Sequence, residues 1–341
     1  MLKQKGWDVI VYTSSIGRNS IINKFKLFPI FSLRAFEIAH TPVIFSMFFR
    51  LLILKKPAII HVHIAQAFVP EIVYLASKIR SIPYVAHVHL DVDESGVFGF
   101  LLRPYKKLFL THVLKNAKKV ICLSETQKLA IIKKNNIKKD NIKIIPNGVS
   151  KLYFSKTKRN FAPPFHILFV GRLAKQKNLP FLLNAIAKMK QKVILDIVGS
   201  GDERKVLEKL VIKYNISNIV FHGDKRGIEL LKIYKYANIL AMTSTKEGVS
   251  LVVLEAMAQG LPIVSSDVEG MRELVKDCGL LVKSPTPIAF ANVIDSLIAN
   301  PTLMTTLSKN SMIKAAGYSW KNTVKKIEDL YEEIFKETYA N

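Results

Sequence analysis

The chain has 341 residues, 49% hydrophobic and 23% charged, which fits an ordinary globular protein with room for two full cores. Its two cysteines, Cys122 and Cys278, lie far apart in apolar contexts, which excludes a disulfide framework and a cysteine zinc motif and makes a reduced, cytoplasmic setting the expectation. The formal net charge is +25, and residues 1–150 hold 23 basic against 8 acidic side chains, a surplus that points to anionic partners.

Met1-Leu-Lys-Gln-Lys-Gly6 lacks the apolar centre of a secretory signal. The longest apolar run, Pro42–Leu54, has 13 residues and includes Arg50, short of the roughly 18 to 20 that span a bilayer. Gly6 reads as a helix stop before a buried strand through Thr13. The pattern then predicts a long apolar helix over 33–55, a strand over 58–63, a helix over 67–80 and a strand over 84–89. A basic, aromatic helix over 98–119 follows, then strand 120–123, helix 125–134 and strand 142–145. Strands that are almost continuously apolar, alternating with helices, predict a parallel sheet covered on both faces. Pro146-Asn-Gly-Val149 is a turn signal, and the polar stretch 151–164 marks a domain junction near residue 150. The second half restarts the alternation with strand 165–170, helix 179–189, strand 193–198, helix 203–214, strand 219–221, helix 228–236 and strand 238–242. After it come helix 271–276, strand 280–282 and two helices within 287–316.

The most informative stretch is Glu247–Pro262, EGVSLVVLEAMAQGLP. It predicts a loop, a helix capped by Ser250 and closed by Gly260, and a strand opened by Pro262. Glu247 lies in the loop and Glu255 one turn into the helix. A helix N-terminus with free N–H groups suits phosphate, and two flanking carboxylates suit the hydroxyls of a sugar and a ribose. Gly171, Arg172 and Lys177 follow the first strand of the second half, where ligands of such sheets bind. Gly171 allows close backbone approach, Arg172 offers a fork matched to phosphate and Lys177 a point charge. Gly199 and Gly201 form a strand-end turn suited to a nucleotide pocket, and Phe221-His-Gly-Asp224 is a weaker turn of the same kind.

Two His-x-His pairs, His61/His63 and His87/His89, invite a metal reading. Alternation of strand side chains between faces, and the lack of an evident carboxylate or third ligand, argue against it. Asp91-Val-Asp93 matches a common metal-binding triplet and reads as an acceptor-side loop. The 98–119 stretch, basic and free of acid, suits either a packing helix or one lying on an anionic membrane. No nucleic-acid module is present.

Seven residues between the two glutamates, then EAMAxGxP, together with GRL-x-x-x-K-N from Gly171 to Asn178, resemble the retaining GT-B glycosyltransferases of family 4 (group 1). That resemblance implies two Rossmann-like domains facing a cleft: an acceptor-side domain over 1–150 and a donor domain over 151–318. A terminal helix over 319–341 would cross back to the first domain. By the same resemblance Glu247 and His89 orient the donor sugar, Arg172 and Lys177 neutralise the leaving diphosphate, and Glu255 holds the ribose. Gly171, Gly199, Gly201, Gly248, Val249 and Ser250 would complete the nucleotide site. No cofactor and no metal are implied. The donor would be a UDP-sugar ahead of a GDP-sugar, and the acceptor a lipid-linked or surface glycan, handled at the cytoplasmic face of a membrane. Members of the family open with a strand and a glycine-rich loop that this sequence does not contain, which predicts a weakened first domain. A catalytically impaired nucleotide-sugar or membrane-binding protein, or a hydrolase using the His-x-His pairs, are the competing expectations.

Overall fold

The computed structural model describes residues 2–16, 29–38, 41–64, 68–89, 106–155 and 159–340. The chain divides into two compact units, one of residues 1–146 with 323–341 and one of residues 147–322.

In the first unit, strands β1 (Val11–Ser14) and β2 (Ile30–Leu33) pair in parallel. Strands β3 (Phe36–Ile38) and β4 (Thr41–Val43) pair antiparallel. Helix α1 (Phe45–Leu52) precedes β5 (Ile60–Ile64), α2 (Val69–Arg80) and β6 (Tyr84–Val88). After them come α3 (Thr111–Asn116), β7 (Lys119–Cys122), α4 (Glu125–Asn135) and β8 (Ile142–Ile144). Strands β5-β6-β7-β8 make a parallel four-stranded sheet.

The long helix expected over 33–55 is shorter, and strands occupy 30–33, 36–38 and 41–43. Pro42 explains the difference. Without an N–H, and with its ring against the preceding turn, it cannot sit inside a helix, and it biases Thr41 to extended backbone. The basic helix expected over 98–119 falls partly outside the described residues. Its described part is one π-helical turn, Lys106–Leu110, followed by α3, and Lys119 already begins β7.

Alternate residues of the sheet pack two separate cores, as the period of two requires. Val62, Ile64, Tyr84, Ala86, Val120 and Cys122 face α1 and α2. Val85 and Ile121 face Leu330 and Ile334 of the terminal helix, which is why every residue of β6 is buried.

The second unit comprises β9 (Phe165–Val170), α5 (Leu179–Ile186), β10 (Val193–Val198), α6 (Arg204–Lys213) and β11 (Ile219–Gly223). It continues with α7 (Gly227–Tyr236), β12 (Ile239–Met242), α8 (Leu251–Ala258), β13 (Ile263–Ser266) and α9 (Glu269–Val275). Strand β14 (Gly279–Val282), α10 (Pro287–Ile298), α11 (Pro301–Ala316) and α12 (Trp320–Tyr339) follow; α12 enters the first unit at Thr323.

All six strands are parallel, in the order β11-β10-β9-β12-β13-β14. This is a doubly wound sheet whose connections reverse direction between β9 and β12. The crevice outside the carboxyl ends of those two strands is where such sheets bind ligands. Arg159 is clamped behind the sheet, donating to the carbonyls of Tyr234, Lys235, Ala237 and Gln259 at the C-terminal ends of α7 and α8, the end where a cation is favoured.

Candidate functional site

Two loops meet at the switch point of the second unit. The loop after β9 turns through Lys175–Lys177 and reaches left-handed backbone at Asn178 (φ 49°), a conformation that asparagine tolerates. The loop after β12 runs from Thr243 to Ser250. Thr245 N donates to Gln176 O at 2.9 Å, Thr243 Oγ1 to Lys177 O at 2.9 Å, and Gln176 Nε2 to Lys246 O at 2.8 Å. Held by these bonds, Lys177 Nζ donates to Glu247 Oε2 at 2.6 Å, with only 19% and 12% of the two side chains exposed. Buried pairs of this kind need close geometry to offset the loss of hydration.

Glycines make the loops fit. At Gly199 (φ +133°) a Cβ would lie 1.9 Å from Gly171 O, and at Gly201 one would lie 2.4 Å from Leu173 O. Gly270, at the start of α9, has the same role toward the glutamate loop, because a Cβ there would fall 2.1 Å from Glu247 O. Gly270 escaped the sequence reading; its only signal is a glycine just inside a helix start.

Ser250 occupies the N-cap of α8 without a side-chain capping bond, contrary to expectation. Gly260 is left-handed (φ +73°) beyond the helix end, as its place in the sequence suggests. Glu255, on α8, accepts from Tyr234 Oη at 3.1 Å. Burial pushes its carboxyl up to about 7, with the Tyr234 hydrogen bond opposing that shift. Tyr234 is fully buried and lies 21 residues away in sequence, so no local pattern announces it. Val249 packs against the core formed by α8 and its neighbours.

Arg172 stands apart from the buried pair. Its side chain is 74% exposed, with Nη2 3.6 Å from Asp202 Oδ2, a separation at which a surface pair contributes little. In the weaker strand-end turn over 221–224, the His222 side chain is tied to buried Asp196 at 2.6 Å. That carboxylate also accepts from His166 Nδ1 at 2.7 Å and Tyr236 Oη at 3.1 Å.

In the first unit, His89 follows the carboxyl end of β6, and its Nε2 is 2.6 Å from His63 Nδ1. The argument that alternation separates the paired histidines does not hold. Residues two apart share a face, and His63 pairs in register with His87. The four rings therefore form one stack, His61 on His63, His63 on His89 and His87 on His89 at 4.8, 4.9 and 4.2 Å between centroids. Burial, and then the neighbouring imidazoles, lower His61 to about 3, His87 to about 2 and His89 to about 4, while burial lowers His63. Asp91 and Asp93 lie outside the described residues.

A doubly wound parallel sheet with a lysine–glutamate pair and a buried carboxylate at its switch point is an α/β domain of the kind that binds ligands at that point. Comparison with known proteins agrees. A family model described as "Glycosyl transferases group 1" matches residues 154–320 and one described as "Glycosyltransferase Family 4" matches residues 1–151. An uncharacterized glycosyltransferase of Methanocaldococcus jannaschii is 30% identical over 271 residues, covering 73% of this chain and 69% of its own. Among solved structures, sucrose-phosphate synthase from Thermosynechococcus elongatus superposes with TM-score 0.79 at 23% identity, over 98% of this chain and 91% of that one. Anabaena HepE in complex with UDP gives 0.73 at 19% identity, over 90% and 86%. The fold is GT-B, and the chain belongs to the GT-B glycosyltransferases, with a family 4 domain followed by a group 1 domain.

The position of Glu255 generates a pH prediction. A carboxyl whose folded pKa is raised contributes stability that is present below its unfolded value, near 4.5, and is lost as pH rises through about 7. Between those values the folded state binds more protons than the unfolded one, so unfolding free energy falls as pH rises. Glu255→Gln removes this term. Chemical denaturation at pH 5 and pH 8 should show the variant gaining on the parent by on the order of 1–3 kcal/mol at the higher pH. An equal difference at both pH values contradicts the assignment.

Proposed function

We propose that the chain transfers a sugar, with retention at the anomeric carbon, from a nucleotide-diphosphate sugar to a lipid-linked or surface-glycan acceptor. The observation that carries this reading is the buried Lys177–Glu247 pair at the switch point, in the loop before the helix that carries a carboxyl poised near neutrality. Glu255, able both to donate and to accept at neutral pH, holds the ribose hydroxyls. Glu247 and His89 orient the donor sugar. Charge developing on the leaving diphosphate is met by Lys177, by Arg172, whose exposed side chain is free to swing, and by the N–H groups that open α8. Fixed donors of this kind stabilise a transition state without reorganising. Gly171, Gly199, Gly201, Gly248, Val249 and Ser250 bring backbone up to the nucleotide. The UDP held by a structural relative supports uridine ahead of guanosine as the base, and retention rests on the motif resemblance.

The acceptor side is read as membrane-proximal. α1 exposes Phe45 and Phe49 at 65% and 67% beside Arg50, Ile53 just past its end is 71% exposed, and Leu108 and Phe109 are also exposed. Among the described residues no helix is long and apolar enough to cross a membrane, so the contact would be peripheral.

Calorimetry with UDP and GDP should show Glu255→Ala losing nucleotide affinity by about tenfold or more, consistent with a lost charged hydrogen bond. Glu247→Ala should keep that affinity and lose about 10²-fold in turnover with a UDP-sugar. Equal loss of affinity in both variants would remove the division of labour.

Turnover should persist in EDTA, because cationic side chains meet the diphosphate charge. Activity that EDTA abolishes and a divalent ion restores would refute that part of the mechanism.

Binding to anionic vesicles should weaken as salt shortens the Debye length and should drop when Phe45 and Phe49 are replaced by serine. Binding of equal strength to neutral vesicles would count against a charged membrane face.

A further inference from the structure

The sugar-transfer reading uses His89 and leaves three neighbouring imidazoles without a task. His61, His63 and His87 each offer a ring nitrogen, and these nitrogens lie within 4.8 Å of one another. His61 Nε2 and His87 Nδ1 are already 3.0 Å apart, close to the roughly 3.4 Å between neighbouring ligands of a tetrahedral ion with bonds of about 2.1 Å.

A second observation points the same way. His87 is 4% exposed, and its Nε2 is buried without a hydrogen-bond partner among the described residues. A nitrogen buried so deeply is normally satisfied, and it belongs to the same ring whose Nδ1 faces His61. The outer bonds also orient the rings as ligands are oriented. His61 Nδ1 meets Tyr331 Oη at 2.5 Å and His63 Nδ1 meets His89 Nε2 at 2.6 Å. With Nδ1–H donated outward, Nε2 of both rings keeps its lone pair, the arrangement in which an outer partner fixes the tautomer of a ligating histidine. Tyr331 belongs to α12, so the terminal helix supplies that outer partner.

We propose that His61, His63 and His87 form a binding site for a divalent transition metal of the zinc class, with a fourth position open to water. Neutral imidazoles select such ions. The trio contains no carboxylate, so hard cations such as Mg²⁺ and Ca²⁺ are disfavoured. An ion here replaces the His61–His87 hydrogen bond and stabilises the first unit by mass action. The site adjoins His89, which the donor-binding reading uses and which bonds His63, but metal binding is detected without nucleotide and so is tested separately from that reading.

The test uses the 341-residue chain, stripped with EDTA and dialysed free of it. Equilibrium dialysis with elemental analysis should find one Zn²⁺ per chain and no retained Mg²⁺, and Co²⁺ should give visible absorption bands from a nitrogen-rich coordination sphere. Zn²⁺ should raise the melting temperature. His63 is exposed, so His63→Ala keeps the fold, and it should weaken Zn²⁺ binding by at least about tenfold and abolish the thermal shift. A triple variant, His61→Gln with His63→Gln and His87→Gln, sets the background from the remaining five of eight histidines. Zn²⁺ uptake no greater than in the triple variant, or binding by His63→Ala as tight as the parent's, overturns the proposal. If the triple variant does not fold, the comparison of His63→Ala with the parent decides alone.

Discussion

Backbone crowding at the carboxyl ends of the second sheet is the constraint on which the site depends. At three positions there is room for hydrogen and nothing larger. Gly199 sits against Gly171 O, Gly201 against Leu173 O and Gly270 against Glu247 O, with a hypothetical Cβ at 1.9, 2.4 and 2.1 Å. Contacts below 3.0 Å between a Cβ and backbone cannot be absorbed by a rotamer change, so any side chain there would push the loops apart. Because the loops stay close, Gln176 and Thr243 can tie them together, and the Lys177 and Glu247 side chains then lie within 2.6 Å of each other.

Closeness of this kind has an electrostatic cost that stability alone does not justify. A buried ion pair often contributes no more than an apolar pair of the same volume, although losing one partner is severe. Glu255 carries its cost more openly: its burial raises the carboxyl to about 7 even with Tyr234 donating to it. Shifts of this kind in buried carboxyls cluster at functional sites and also occur in structural networks. In α8 the neighbouring residues Val253, Leu254, Ala256, Met257 and Ala258 are fully buried and apolar, so Glu255 is the one charged side chain of the helix.

Legibility in the sequence followed burial. β9 and β10 match the runs Phe165–Val170 and Val193–Val198 end to end, because a parallel strand covered on both faces leaves a near-continuous apolar signal, broken here only by His166 and Asp196. The α/β class was therefore readable, as was the strand–loop–helix–strand course around Glu247 and Glu255. The first unit was harder. Its apolar stretch around residues 33–55 carries no period that separates short strands from a helix, and Pro42 had to be weighed more heavily than hydrophobicity. Tyr234, Gly270, Gln176 and Thr243 could not be read at all, since each acts on a partner 21 to 70 residues away or on bare backbone. The histidines were visible, but their common face was misjudged, and the parallel register of β5 and β6 supplies what the alternation argument left out.

The basic surplus of the first half also means less than composition suggests. Part of it is spent inside the first unit, on the terminal helix. Lys5 meets Glu328 at 2.7 Å and Lys118 meets Glu337 at 2.9 Å, while Lys119 and Lys143 share Glu333 at 2.8 and 3.1 Å. Hydrogen bonds from Lys119 and Lys143 hold the Glu333 carboxyl below its usual range, so its contribution is present at neutral pH and fades as pH falls through the folded value. Along the same helix Leu330 and Ile334 are buried against Val85 and Ile121. Burial of those two side chains is the larger attraction, because exposed ion pairs contribute little each. The charges instead select orientation: the helix turns its acids toward the lysines of β7 and β8 and its apolar stripe toward the sheet. Four lysines already matched within the unit are not available to a phosphate or a membrane. What remains of the surplus lies on other lysines and arginines, Arg50 beside the exposed phenylalanines of α1 among them.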